Sequence, residues 1–328
     1  MNIRKSTIHN NTGDYMKIRL GYACISDTIN ITTSTPYTYT KFKKEQDYIK
    51  LDRIIKSNLL NLYEILKYNK KNNIHFYRLS SNLIPLATKK EVDFEYIKRY
   101  KNYYNLISKF INKNNMRIDF HPDQFCVLNS VNSDVVESSI EILKYHYNLL
   151  EAMNIKNKVL VLHIGSNAFG KDNSIKRFIN NFNKLDDNIK QSIVIENDDK
   201  IFNILDCLEI SNKCSIPIVL DYHHHNCNGK DIELTNYIED IFLTWKNINP
   251  KIHFSSPKNN TKKDMRSHND YINVNSFIKF IESIKYLNYD IDIMIEAKKK
   301  DEAMFKLIRE LKYKTNYKFI DDTTFIVK

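Results

Sequence analysis

The chain has 328 residues, 42% of them hydrophobic and 12% aromatic, which is ample for a packed core and excludes a disordered polymer. No run is apolar enough to cross a bilayer, and residues 1–14 are polar, which argues against a signal peptide and makes the cytoplasm the expected compartment. The five cysteines are odd in number and never form a C-x-x-C pair, so a disulfide scaffold and a cysteine zinc site are set aside, while a net charge of +11 suggests a polyanionic partner.

After a polar tail of about residues 1–16, residues 17–25 (KIRLGYACI) read as a strand. Residues 47–68 follow as a helix, with Ile49, Leu51, Ile54, Ile55, Leu59, Leu62 and Ile65 at helical spacing. The same order then repeats. Strands are predicted at 75–80, 116–120, 159–164, 192–196, 216–221, 251–255 and 290–296, each followed by a helix, at 91–111, 132–151, 173–188, 199–211, 231–245, 273–287 and 301–312. Eight strand–helix units imply an α/β protein, a single (β/α)8 TIM barrel spanning residues 1–328, with residues 313–328 as an extension that forms either an edge hairpin or a loose tail. Sites in such barrels lie at the carboxyl ends of the strands.

Those ends are where metal-binding side chains collect. Residues 216–228 (IPIVLDYHHHNCN) form a buried-strand pattern ending in an acid and three histidines, and a turn after the strand brings Asp221 and His224 onto one ion. The other strand ends offer His121, His163, Glu196, His253 and Glu296, with His268 in the loop after the seventh strand. Eight such groups exceed what one ion uses and suggest two or three. His9 in the tail, His75 at the opposite rim and His146 in mid-helix read as structural or solvated, while His223 and His225 are expected to meet solvent or phosphate. Arg78, Arg117 and Asp119 read as a paired, buried polar layer inside the barrel, with contact to a metal-bound histidine as the alternative. Lys258, Lys262, Lys263 and Arg266 crowd one rim loop, Lys298, Lys299 and Lys300 another, and residues 27–40 form a Thr/Tyr-rich loop; together they fit a nucleic-acid backbone.

RLGYACIS (19–26), FYRLSSNLIP (76–85), DFHPDQF (119–125), LVLHIGS (160–166), IENDD (195–199), LDYHHH (220–225), HFSS (253–256) and SHNDYI (267–272) occur in that order. In this combination the chain resembles the UV damage endonucleases, relatives of the endonuclease IV type of AP endonuclease. The resemblance implies a barrel that binds damaged duplex DNA and cuts the phosphodiester 5′ to the lesion with divalent metals, typically manganese, with zinc, magnesium or cobalt as alternatives and no nucleotide cofactor. It also implies that His121, His163, Glu196, Asp221, His224, His253, His268 and Glu296 are metal ligands, that Gln124 and Phe125 probe the lesion, and that Tyr22 lies near flipped nucleotides. Many members have Tyr where this chain has Phe125, which keeps the stacking face and loses a hydroxyl. The endonuclease IV relatives have Asp-x-His where this chain has Arg266-Ser267-His268, so one anionic ligand is missing.

Phosphodiester cleavage needs an activated water and charge on the phosphate, with Glu196 expected to bridge two ions and take the water's proton and Glu296 to hold an ion on the other side. Strand parity points Lys251 the way His253 points, into the barrel, where an ammonium beside metals is repelled. N-carboxylation would turn it into the missing anion. A metal-dependent sugar isomerase or epimerase on the same barrel, and a barrel that only binds nucleic acid, are the rival readings. A monomer is expected.

Overall fold

The computed structural model describes residues 14–328 except 93, 260, 262 and 263, so His9, Lys262 and Lys263 lie outside the described residues. Strands β1 (Met16–Ala23), β2 (Phe76–Leu79), β3 (Arg117–Phe120), β4 (Leu160–His163), β5 (Ile193–Glu196), β6 (Ile218–Asp221), β7 (Lys251–Phe254) and β8 (Ile291–Ile295) pair in parallel in chain order. β1 pairs with both β8 and β2, which closes the ring. Helices alternate with the strands, and the architecture is a TIM barrel. The C-terminal stretch forms the edge hairpin, β9 (Lys318–Phe319) with β10 (Thr324–Val327), and β10 runs antiparallel to the first half of β1. Among the described residues no helix is long and apolar enough to cross a membrane.

Alternation along each strand separates two cores. Ile18, Leu20 and Tyr22 face outward into the layer under the helices, with Leu51, Leu59 and Leu62 in the same cluster. Val161, Val194 and Val219 face inward against Trp245, and Ala23, Phe76 and Met294 fill the other side of the barrel. Gly21 is also on the inner face, where a Cβ would land on the Phe76 carbonyl. The interior is not purely apolar. Asp292 binds Arg19 and Arg117, Asp119 binds Lys251, and Glu296 binds Arg78, all within the ring. Ions removed from water cost several kcal/mol each unless paired, so each cation here stands beside a carboxylate.

Tyr22 corrects an expectation. It is fully buried, its ring 5.1 Å from that of Tyr77 and its hydroxyl donating to Asn69 Oδ1 at 2.8 Å. Its parity with Ile18 and Leu20 commits it to the helix side of the barrel wall.

Other differences are local. The helix expected at 91–111 is broken into Tyr96–Arg99 and Lys101–Lys113, because Glu95 has φ +41° and Tyr100 leaves helical geometry. The one expected from 199 starts at Ile204, where Asn203 and Asp206 form a capping box. Within the segment read as the first rim loop and its continuation, Thr38 caps an unforeseen helix, Tyr39–Glu45.

Candidate metal centre

Strand register sets the height of the site. His163 pairs across from Glu196, and Asp221 across from His253, so four candidate ligands lie at or next to the carboxyl ends of their strands on one rim. His121 follows β3 and Glu296 follows β8. Three groups result, each with its ligand atoms within 4.8 Å of one another: His121–His163–Glu196, Glu196–Asp221–His224, and Asp221–His253–Glu296. Glu196 and Asp221 each belong to two groups. Such sharing would let neighbouring ions be held by a common carboxylate.

Glu196, 1% exposed, accepts from His121 Nε2 at 2.8 Å and from His253 Nδ1 at 2.6 Å. Burial pushes Asp221 up to about 8, and the repulsion of Glu196 and Glu296 adds to it. Its Oδ2 is buried without a partner. For Glu296 burial acts upward, yet the Arg78 guanidinium and His253 hold its carboxyl well below the usual range. Burial lowers His253 to about 4, so its imidazole is neutral. Against burial, Asp221, Glu196 and Glu296 raise His224 to about 9. Three carboxylates so close, with Asp221 Oδ2 buried and without a partner, make with the surrounding imidazoles a donor set that suits divalent metals.

The histidine orientations support the same use. His121 Nδ1 donates to the Pro122 carbonyl at 2.9 Å and His224 Nδ1 to the Asn197 carbonyl at 3.0 Å, contacts that fix both rings through Nδ1, so that Nε2, which on His121 donates to Glu196 here, is the atom either ring would give to a metal on losing its proton. Asn197 is a residue that the sequence reading missed. It is fully buried and also braces Asp221, donating to its carbonyl at 3.0 Å and accepting from its N–H at 2.9 Å. Its position directly after Glu196 was the available signal.

The turn expected after Asp221 is instead a helix, Tyr222–Asn228, capped by the Asp221 side chain, which accepts from the His224 N–H at 2.7 Å. The cap makes Asp221 and His224 converge. It also turns His223 and His225 inward, 2% and 6% exposed, so neither meets solvent as expected. His268 stands next to the three groups. Its ring stands 5.4 Å from that of His223 and 6.4 Å from that of His224, and it enters none of the three groups. Arg266 Nε lies 3.4 Å from Asp199 Oδ2.

The two interior arginines divide between the two readings. Arg117 belongs to the structural layer, bound to Asp292, whereas Arg78 Nη2 reaches His253 Nε2 at 2.8 Å and Glu296 Oε1 at 2.5 Å. Lys251 points inward as its parity requires, and its Nζ donates to Asp119 Oδ2 at 2.7 Å. Burial, with Arg78 and Arg117 nearby, lowers it to about 8. The structural expectations for His75 and His146 hold: His75 meets Asp321 at 2.9 Å, and His146 donates to the Ile142 carbonyl at 2.8 Å inside its helix.

Gln124 is exposed and Phe125 is 71% exposed, on the loop after β3. That loop is pinned by the Phe125 N–H donating to Asp123 Oδ1 at 2.8 Å and by the buried Cys126. A cavity of about 320 Å³ opens beside it, lined by Gln124, Val127, Leu162, His163, Asp198 and Ile201. Lys258 lies in the rim loop after β7, 3.7 Å from Asp264.

The family model described as UV-endonuclease UvdE matches residues 18–324. A UV DNA damage endonuclease of Bacillus cereus (strain B4264) is 38% identical over 303 residues, covering 90% of this chain and 95% of the relative. The crystal structure of SacUVDE superposes with a TM-score of 0.83 at 35% identity, covering 90% of this chain and 98% of that one. Endonuclease IV from Thermus thermophilus shares the fold, with a TM-score of 0.57 at 9% identity over 90% of this chain and all of that one.

Proposed function

The chain belongs to the UV-endonuclease UvdE family and is a UV DNA damage endonuclease, a hydrolase, and from that premise we propose that it nicks damaged duplex DNA 5′ to UV photoproducts with bound divalent metals. The observation that carries the reading is the set of three ligand groups sharing Glu196 and Asp221 at one rim. His121, His163, Glu196, Asp221, His224, His253 and Glu296 hold the ions in this reading, with His268 at the edge of the set and manganese as the metal. Bound divalent ions supply an activated water and a charge clamp on the phosphate.

The chain's own residues do the rest. Glu196 takes the proton of the attacking water, and Glu296, held ionised by Arg78 before metal arrives, would hold an ion on the other side of the phosphate. Phe125 inserts into the base stack with Gln124 beside it, while Lys258, Lys262, Lys263 and Arg266 contact phosphates, and the enzyme acts as a monomer in the cytoplasm. The sugar isomerase alternative has no use for an exposed Gln–Phe probe beside basic loops.

Purified protein with manganese is expected to nick irradiated plasmid without ATP and to leave unirradiated plasmid intact. Replacing Gln124 and Phe125 together by Ala removes a stacking contact worth roughly 1–3 kcal/mol per base, so binding to lesion DNA weakens while bound metal stays constant. Equal nicking of both plasmids sinks the repair reading, and loss of metal in the double variant sinks the assignment of the loop.

Lys251 enters as an N-carboxylated side chain that supplies the anion absent at Arg266. With Nζ lowered to about 8 by burial, neutral amine, the form that attacks carbon dioxide, is available near neutral pH. Electron density at Nζ in metal-loaded crystals tests this, and a bare amine with all metals in place refutes it.

A further inference from the structure

The three groups are not equally open to a metal. In the His121–His163–Glu196 group, His121 donates its Nδ1 hydrogen to a carbonyl and its Nε2 meets Glu196 Oε2 at 2.8 Å inside the group itself, and among the described residues no guanidinium or ammonium is bonded to any of the three. The Asp221–His253–Glu296 group differs. Arg78, 7% exposed, sends one nitrogen, Nη2, to both His253 Nε2 at 2.8 Å and Glu296 Oε1 at 2.5 Å.

A guanidinium only donates, so His253 Nε2 is the acceptor and the ring's single hydrogen sits on Nδ1, directed at Glu196 Oε1 2.6 Å away. A metal on Nδ1 requires that hydrogen to move to Nε2, where it faces the Arg78 donor. A metal on Nε2 displaces Arg78 outright. Either way the ion and Arg78 exclude each other at His253, and they also compete for Glu296 Oε1. The second carboxylate that would make this group the stronger binder is cancelled by the charge of Arg78.

We propose that Arg78 acts as a resident counter-cation that makes metal loading ordered: the His121–His163–Glu196 group fills first, and the Asp221–His253–Glu296 group fills last and exchanges its ion readily. Arg78 is thus a positioning residue. It holds Glu296 and His253 in place before the ion arrives and gives way when it does. The inference rests on the metal reading above and deepens it.

Titration of the metal-free full-length protein with Mn2+ by calorimetry, and with Co2+ by its visible absorption, tests the order. At least two affinity classes are expected; His163→Ala removes the tighter and Glu296→Gln the weaker. Arg78→Met is expected to tighten the weaker class by roughly 10–100-fold, the scale of outer-sphere effects on metal affinity, and to leave the tighter class unchanged. Loss of the tighter class in Glu296→Gln, or a weaker class that stays put or weakens further in folded Arg78→Met, overturns the ordered loading. The two ligand variants assign the classes even if Arg78→Met does not fold. Wild-type protein that binds neither ion overturns the metal reading itself, which separates the two failures.

Discussion

Glu196→Gln is expected to lower nicking of irradiated plasmid by roughly 10²–10⁴-fold, the range for removing a positioned acid–base group, while the barrel stays folded. The residue belongs to two of the three ligand groups, and both its oxygens already accept hydrogen bonds, from His121 and His253. Glutamine keeps the volume but turns one acceptor into a donor, which then faces an imidazole N–H. Under the proposed reading it also deletes the charge that would be shared between two ions and the base that would take a proton. The fold survives for an electrostatic reason. Asp221 is raised partly by repulsion from Glu196, so neutralising Glu196 relieves that crowding in the metal-free protein. Nicking assays paired with thermal melting and a metal count check both halves. A folded variant that nicks like the parent removes Glu196 from the chemistry.

The rim was legible in the sequence because ligand identity and strand position coincide there. A strand's last inward residue is fixed by parity, and His163, Glu196, Asp221 and His253 all fall on it. What parity could not supply is the direction taken after the strand ends. His223 and His225 turn inward because Asp221 caps a short helix, a consequence of one side-chain hydrogen bond. His268 sits in a loop anchored by a bridge to Pro257, which no spacing announces. Tyr22 went the other way: parity alone places it correctly beside Leu20, whereas the family resemblance pointed it toward the rim. For Arg78 and Arg117, two strand residues with the same inward direction, the sequence offered no means to say which meets the metal centre and which the opposite rim. Depth along the barrel decides, since Arg78 ends near Glu296 and Arg117 near Asp292.

That deeper layer carries the largest expected effect on stability. Asp292 is fully buried, and three guanidinium nitrogens converge on it: Arg19 Nε at 2.5 Å, Arg19 Nη2 at 2.7 Å and Arg117 Nη1 at 2.7 Å. Arg117 is further enclosed by the faces of Trp245 and Phe76, 5.1 and 5.4 Å away, and donates to the Asn249 carbonyl. Asp292→Asn leaves these cations facing an amide. Removing one partner of a buried pair costs about 3–5 kcal/mol, and because Arg19 keeps some access to water the lower half of that range is expected. The pH dependence has a definite sign. Burial works against ionisation, but Arg19 and Arg117 prevail and hold Asp292 below its ordinary carboxyl range. Its contribution is therefore complete above the unfolded carboxylate pKa and is lost as pH falls through the lower folded value. Urea midpoints of the parent should drop on acidification through and below the ordinary carboxylate range, and those of Asp292→Asn should start lower and fall less, narrowing the gap. A gap that stays constant with pH would mean that Asp292 stabilises the barrel by shape rather than by charge.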